Sequence, residues 1–303
     1  MKPLVAIVGP TGTGKSQLAI HLAQTFNGEI VSADSRQVYR YMDIGTAKPT
    51  PDQLSQVPHH LINIVNPDED FSQAQYQELA YRTINDIQQR NRLPLLVGGS
   101  GLYVCSVVEG WQIPKVPPDP GFRHSLEEKA VRLGEDELYY ELKQVDPVAA
   151  NRIDRHNVRR MIRALEVHRD DTAPFSQLQH KTAPPFITLI IGLTADRREL
   201  YRRVDLRVDQ MIKAGLVEET QKLLDMGYLP AMSSIGYKQT GMFLQGELTL
   251  EAAVQKIKSE THRLIRHQYN WFRLTDERIK WFDIQGNIEP GIQNLVAEFL
   301  MKG

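Results

Sequence analysis

The sequence predicts an α/β fold, a parallel sheet flanked by helices and interrupted by a helical insertion domain. Three observations carry this. Residues 4–8 (LVAIV) are an unbroken apolar run ending in glycine, with a helical pattern through Leu18, Leu22 and Phe26 directly behind it. Further apolar runs alternate with helical stretches to residue 101, as a parallel sheet requires when each strand is followed by a crossover. Then IPKVPPDPG (113–121) breaks the alternation with prolines, an Arg-rich helical stretch runs to 170, and FITLIIGL resumes the strand texture at 186.

Taken in order, the strand at 4–8 leads through glycines into a helix at 15–26. EIVSAD (29–34) is the second strand and ends at Asp34. LINIV (61–65) is the third, residues 71–90 form a helix, and PLLVGGSG (94–101) is a strand running into glycines. Helices dominate after 193, notably over 249–273. The expected organisation is a core of 1–115 and 182–303 around an insertion of 116–181. Such a sheet binds ligands at the carboxyl ends of its strands.

The 303 residues, 41% hydrophobic and 24% charged, are enough for a sizeable core. A net charge of −1 excludes binding driven by an overall basic field, leaving only local patches. The one cysteine, Cys105, excludes an internal disulfide framework and a multi-cysteine zinc ribbon, and suits a reducing cytoplasm. The N-terminal apolar run is too short for a signal sequence or a membrane span.

Gly9-Pro10-Thr11-Gly12-Thr13-Gly14-Lys15-Ser16 fits G-x-x-x-x-G-K-[ST] in its required setting, after a strand and opening a helix. Glycines let backbone N–H groups close around phosphate oxygens, Lys15 adds a point charge, and the Ser16 hydroxyl can ligate Mg2+. The core is therefore similar to P-loop NTPases. An ATPase of this fold would end another strand in an acidic residue that holds the metal. PLLVGGSG ends in Gly98-Gly99-Ser100 instead, and Asp34 is the leading carboxylate near the loop. Taken alone, Asp34 fits a turn cap equally well.

The runs SADSRQVYRYMDIGTAKP (32–49), GGSGLY (98–103), VRRMIRALEV (158–167), RRVDLRVDQMIKAGLVEE (202–219), SSIGYKQ (233–239) and RHQYNWFR (266–273) change that balance. In this order, spanning nearly the whole chain, they resemble the tRNA dimethylallyltransferase (tRNA isopentenyltransferase) family. The eukaryotic members' C-terminal zinc finger has no counterpart, which suits a bacterial type. The resemblance implies transfer of a dimethylallyl group from dimethylallyl diphosphate to the exocyclic amine of the adenosine just 3′ of the anticodon, with Mg2+ as cofactor and release of diphosphate. It implies Asp34 as general base, with Ser100 and Arg207 as further catalytic residues. The loop residues Gly9 to Ser16 would hold the diphosphate, helped by Arg203, the neighbouring alternative to Arg207, and Ser16 would hold the metal. tRNA would meet Asp34, Ser35, Arg36, Gln37 and Ser100 at a flipped-out base, and Arg123, Arg159, Arg160, Arg163, Tyr237, Lys238 and Arg266 elsewhere. The expected partners are the anticodon stem-loop and dimethylallyl diphosphate, with no membrane, for a monomeric cytoplasmic enzyme.

Ser100 stands where the family commonly has threonine, His156-Asn157 where it shows Asn-Asp, and His267 and Asn270 where it has arginine and threonine. Arg155, Arg159 and Arg163 recur along one helix face beside the apolar stripe Val158, Met161, Ile162 and Leu165; on an isolated helix they would be a solvated face pairing with acids such as Glu166. On the C-terminal helix Val254, Ile257, Leu264, Ile265 and Phe272 form the apolar stripe, and Trp271 is expected in the core. His59-His60 lacks accompanying ligands and is expected to be structural. Three rival functions share parts of this pattern: an enzyme prenylating free AMP, which needs no Arg-rich insertion; a nucleotide kinase with the insertion as a lid; and a non-catalytic RNA-binding protein.

Overall fold

Six strands, β1 (Lys2–Val8), β2 (Gly28–Ser32), β3 (His59–His60), β4 (Leu93–Val97), β5 (Phe186–Thr194) and β6 (Ile279–Asp283), pair in parallel in the spatial order β3-β2-β4-β1-β5-β6. The computed structural model describes residues 2–114, 116–171, 174–178, 180–227 and 229–302. They divide into two units, residues 1–108 with 184–303, and residues 109–183.

In the first unit, α1 (Lys15–Thr25), α2 (Pro51–Gln56), α3 (Gln73–Gln89) and α4 (Gly101–Val108) follow the first four strands. β1 shows why its run is apolar throughout: Leu4, Ala6 and Val8 face one core and Val5 and Ile7 the other, all without exposed surface. Each fully buried leucine, valine or isoleucine contributes roughly 1.5–3 kcal/mol. α3 and α4 cover the first face through Tyr76, Ile84, Val104 and Val107. On the second face Leu18 and Leu22 of α1 pack with two residues near the C-terminus, Ile292 and Val296. Serine and threonine caps start α3 and α2: Ser72 accepts from the Gln75 amide and Thr50 from the Gln53 amide, and each glutamine side chain returns a bond to the cap amide.

The second unit holds α5 (Pro120–Leu133), α6 (Glu135–Val145), α7 (Pro147–Arg152), α8 (Val158–Asp171) and α9 (Phe175–Leu178). It has its own core, in which Leu126, Leu138, Leu142, Met161, Ile162 and Leu165 are buried. After β5 the first unit resumes with α10 (Arg197–Lys213), α11 (Leu216–Asp225), a 3-10 turn (Pro230–Ser233), α12 (Tyr237–Leu244), α13 (Leu250–Trp271), β6 and α14 (Glu289–Lys302). Among the described residues no helix is long and apolar enough to cross a membrane.

Four local expectations need correction. LINIV is not a strand: Leu61 and Asn63 have φ of 62° and 57°, which breaks extension, and the edge strand is the preceding His59–His60. PLLVGGSG stays extended only to Val97, because Gly101 already opens α4. β6, a short half-exposed edge strand, was not anticipated among the C-terminal helices. On α13, Ile257, Ile265 and Phe272 are buried, but Leu264 is 39% and Trp271 42% exposed.

Candidate active site

Three chain segments meet at the carboxyl ends of the adjacent strands β2, β4 and β1. Leaving β1, Gly9 has φ +136°, and a Cβ there would lie 2.3 Å from the Leu193 carbonyl oxygen in β5, so no side chain fits. Gly14 caps α1 in the left-handed conformation with no side-chain hydrogen bond, which leaves the first-turn amides of α1 open to an anion. Thr13 Oγ1 and Lys15 Nζ both donate to the Pro10 carbonyl, at 2.9 and 2.8 Å, and so close the loop on itself. The Ser16 hydroxyl is exposed and has no partner among the described residues.

Two cations serve this loop. Burial pulls the Lys15 ammonium down to about 8; the nearby Arg207 charge adds to this, while Asp34 opposes it. Arg207 is also lowered by burial and raised by Asp34, and its Nη1 reaches Thr11 Oγ1 at 3.4 Å. Neither cation has a carboxylate in ion-pair contact among the described residues. Arg203 differs: its Nε donates to Glu199 at 2.8 Å, leaving Nη1 3.4 Å from the Gly12 carbonyl. Of the two arginines, Arg207 therefore keeps its charge for a ligand.

Behind β2, Asp34 Oδ1 accepts the amides of Arg36 at 2.8 Å and Gln37 at 3.4 Å, so it does cap a turn. Oδ2 takes no hydrogen bond from a described residue. Ser100, behind β4, accepts the Ser35 amide at 3.0 Å and lies 3.3 Å from the Ser35 hydroxyl, which ties the two loops together. The stacked rings of Tyr76 and Tyr103, 3.8 Å apart, support this turn, with Tyr76 O–H donating to the Ser32 carbonyl at 3.0 Å. The Gln37 amide accepts from Ser32 Oγ and donates to the Thr46 and Ala47 carbonyls. Arg36 makes no hydrogen bond through its guanidinium among the described residues.

Glu219 of α11 was missed by sequence reasoning. Its carboxylate accepts the consecutive amides of Asp43, Ile44 and Gly45 at 2.9–3.1 Å and the Tyr237 hydroxyl at 2.6 Å. No local pattern marks it, because the loop amides it accepts lie some 175 positions away. Tyr237, expected to face tRNA, has no exposed surface and packs where a Gly45 side chain would stand. It shapes the 43–45 loop from inside. Lys238 beside it is exposed, as is Arg266, whose Nη1 donates to the Tyr201 hydroxyl at 3.0 Å.

Within the second unit the arginines divide. Arg123 and Arg163 both pair with Glu166, which is fully buried: Arg123 at 2.8 Å through two bonds, Arg163 at 2.5 Å. Arg163 also donates to the Val116 carbonyl at 2.9 Å, so its charge is committed inside the insertion. Arg159 and Arg160 are exposed and their guanidiniums have no partner among the described residues. Asn157 accepts the Arg160 amide at 3.1 Å, so the departure at 156–157 still supplies a helix cap.

The described residues hold no group of three or more His, Cys, Asp or Glu able to take a metal. His60 Nε2 donates to buried Glu29 at 2.7 Å, and His59 Nδ1 donates to the Val57 carbonyl, both structural roles. The open Ser16 hydroxyl suits a hard cation that draws its remaining ligands from substrate phosphates and water.

Residues 37–275 match the family model described as IPP transferase. A tRNA dimethylallyltransferase from Dehalococcoides mccartyi is 49% identical, aligned over 100% of this chain and 94% of its own; one from Thermomicrobium roseum is 51% identical over 96% and 88%. Among solved structures, the full-length tRNA isopentenylpyrophosphate transferase of Bacillus halodurans superposes with a TM-score of 0.75 at 41% identity, covering 100% of this chain and 98% of that one. A eukaryotic dimethylallyltransferase described as acting on tRNA gives 0.83 at 27% identity, covering 100% and 80%. A loop built for phosphate after β1, an arginine beside it with no acid in ion-pair contact among the described residues, and a carboxylate turn after β2, two strands away, thus stand in a chain that matches these proteins along its whole length and belongs to the IPP transferase family.

Proposed function

We propose that this protein transfers a dimethylallyl group from dimethylallyl diphosphate to the exocyclic amine of the adenosine just 3′ of the anticodon in tRNA, releasing diphosphate. The observation that carries this is Asp34 close enough to act on both cations of the phosphate loop, Lys15 and Arg207, neither of which has a carboxylate in ion-pair contact among the described residues. The loop Gly9 to Ser16, through the backbone amides that the fold leaves free, together with Lys15 and Arg207, holds the diphosphate and takes up the negative charge that develops as its bond to the allylic carbon breaks. Arg203 stands behind them on Gly12. Ser16 would hold Mg2+, which when bound neutralises charge on the departing diphosphate.

The adenine leaves its stack and enters beside Ser35, Arg36, Gln37 and Ser100. Asp34 accepts the proton from the amine as the new carbon–nitrogen bond forms, a contribution of roughly 10²–10⁴ in rate. Its Oδ1 stays on the turn amides while Oδ2 does the accepting, so the carboxylate is aimed by the same bonds that cap the turn. Arg159 and Arg160, with Lys238 and Arg266, meet tRNA phosphates. Arg123 and Arg163 serve the insertion's interior.

The test offers labelled dimethylallyl diphosphate with Mg2+ to unmodified tRNA, to AMP, and to tRNA whose adenosine beside the anticodon is replaced by guanosine. Label is expected in the first alone. Label in AMP would move the protein to free-nucleotide chemistry, and ATP turnover without prenyl transfer would make it a kinase.

A further inference from the structure

Gln268, in the last turn of α13, is 7% exposed and uses its carboxamide at both ends. Oε1 accepts the Thr11 amide of the phosphate loop at 2.9 Å, and Nε2 donates to the Gly99 carbonyl at 3.1 Å. The approach requires glycine at 99, where a Cβ would stand 2.3 Å from Nε2. Three residues further along α13, the Trp271 side chain fills the space a Cβ at Gly101 would need, 2.1 Å from its Cγ. Between these glycines lies Ser100, which holds the Ser35 amide next to Asp34.

We propose that Gln268 is a positioning residue for prenyl transfer, locking the phosphate loop after β1 to the glycine loop after β4 and so setting the spacing between the diphosphate and the base-accepting turn. The inference rests on the function proposed above. A primary amide is suited to this place because it presents one acceptor and one donor in a fixed fork: glutamate offers only acceptors and leucine offers neither. The two backbone groups it joins belong to different loops. In a buried setting both bonds are strengthened by the low dielectric, and either group left alone is costly. The reaction needs the allylic carbon and the amine held in near-attack geometry, where a shift of about 1 Å can cost roughly 10²-fold. Gln268 touches neither reactant; it acts through Thr11 and Gly99.

The experiment compares the full chain with Gln268→Leu, Gln268→Glu, Gly99→Ala and the double variant Gln268→Ala with Gly99→Ala, alongside Gln268→Ala. Calorimetry measures binding of dimethylallyl diphosphate with Mg2+, filter binding measures tRNA, and single-turnover transfer and thermal midpoints are recorded in parallel. Gln268→Leu is expected to weaken dimethylallyl diphosphate binding about tenfold and to slow transfer by at least as much, with tRNA affinity near wild type and a lowered thermal midpoint from the two backbone groups left unpaired. Gln268→Glu is expected to bind the diphosphate more weakly still, since its charge opposes the ligand and its oxygens face the Gly99 carbonyl. Gly99→Ala should reproduce Gln268→Leu, yet add nothing to Gln268→Ala, where no amide is left to collide.

Tighter diphosphate binding by Gln268→Leu would overturn the inference by making the amide a plug in the cradle. Losses of tRNA affinity as large as those of diphosphate affinity, with Gly99→Ala additive on Gln268→Ala, would overturn it in favour of plain packing. Variants indistinguishable from an active wild type would also overturn it while leaving the proposed function standing. Wild-type protein that neither binds dimethylallyl diphosphate nor prenylates tRNA would overturn both.

Discussion

The phosphate loop and the interior of the insertion both gather basic side chains, but they treat them in opposite ways. Lys15 and Arg207 are sunk beside the loop with no carboxylate in ion-pair contact among the described residues, and burial lowers both. Arg123 and Arg163 enclose Glu166, an acid with no exposed surface that also accepts the Asp119 amide. A cation is available to a ligand when the fold buries it without an acid. Arg203 and Arg207, one helical turn apart on α10, make the same point at closer range, because only Arg203 has Glu199.

Asp34→Asn tests the loop side of this contrast most severely. It is expected to lower the transfer rate roughly 10²–10⁴-fold while single-turnover controls show diphosphate still bound, since asparagine can keep the turn but accept no proton. Retained turnover would remove Asp34 from the chemistry. On the insertion side, Glu166→Leu leaves two arginines facing an apolar group and should destabilise that unit by about 2–3 kcal/mol, read by urea denaturation, with diphosphate binding unchanged. Adding Arg123→Met and Arg163→Met should recover most of the loss.

pH separates the two uses of charge. With Lys15 at about 8 in the folded protein and 10.5 unfolded, the unfolded chain binds more protons between those values, so this lysine makes folding stability rise with pH across that window. Diphosphate binding needs the proton and moves the other way, weakening by up to about tenfold per pH unit above 8. Lys15→Met should abolish both trends, measured as differences from wild type. The smallest effects belong to Arg159→Ala and Arg160→Ala, each expected to weaken tRNA binding a few-fold and reduce the slope of log affinity against log salt by about one. Arg163→Ala should instead lower the stability of the insertion.

What the sequence disclosed and what it withheld divide along local and distant contacts. The strand, loop and helix around Gly9 to Ser16 were legible because their chemistry is written in eight consecutive residues. The expectation at LINIV failed on two backbone dihedrals, at Leu61 and Asn63, that composition does not encode. Ser100 was singled out by resemblance, but its bond to the Ser35 amide spans 65 positions, and the Glu219 carboxylate reaches its loop across 174 to 176. Tyr237 lies in a recognisable run, yet only the packed structure shows it turned inward, on Glu219 and against Gly45. The arginines show the same limit, since whether a basic residue is committed depends on an acid that folding brings to it.

The placement of β1 also sets an order of events on the ribosome. Val5 pairs with Leu95 of β4 on one side and with Leu189 of β5 on the other, and the whole insertion is synthesised between those two partners. At about 5–20 residues per second, one edge of this central strand waits on the order of ten seconds for its neighbour. During that time its amides and carbonyls are a template for another chain. By packing an apolar core of its own, the insertion withdraws its hydrophobic side chains from that open edge. A variant that unfolds the insertion alone should then appear first as lost soluble yield, before any change in the site is measurable.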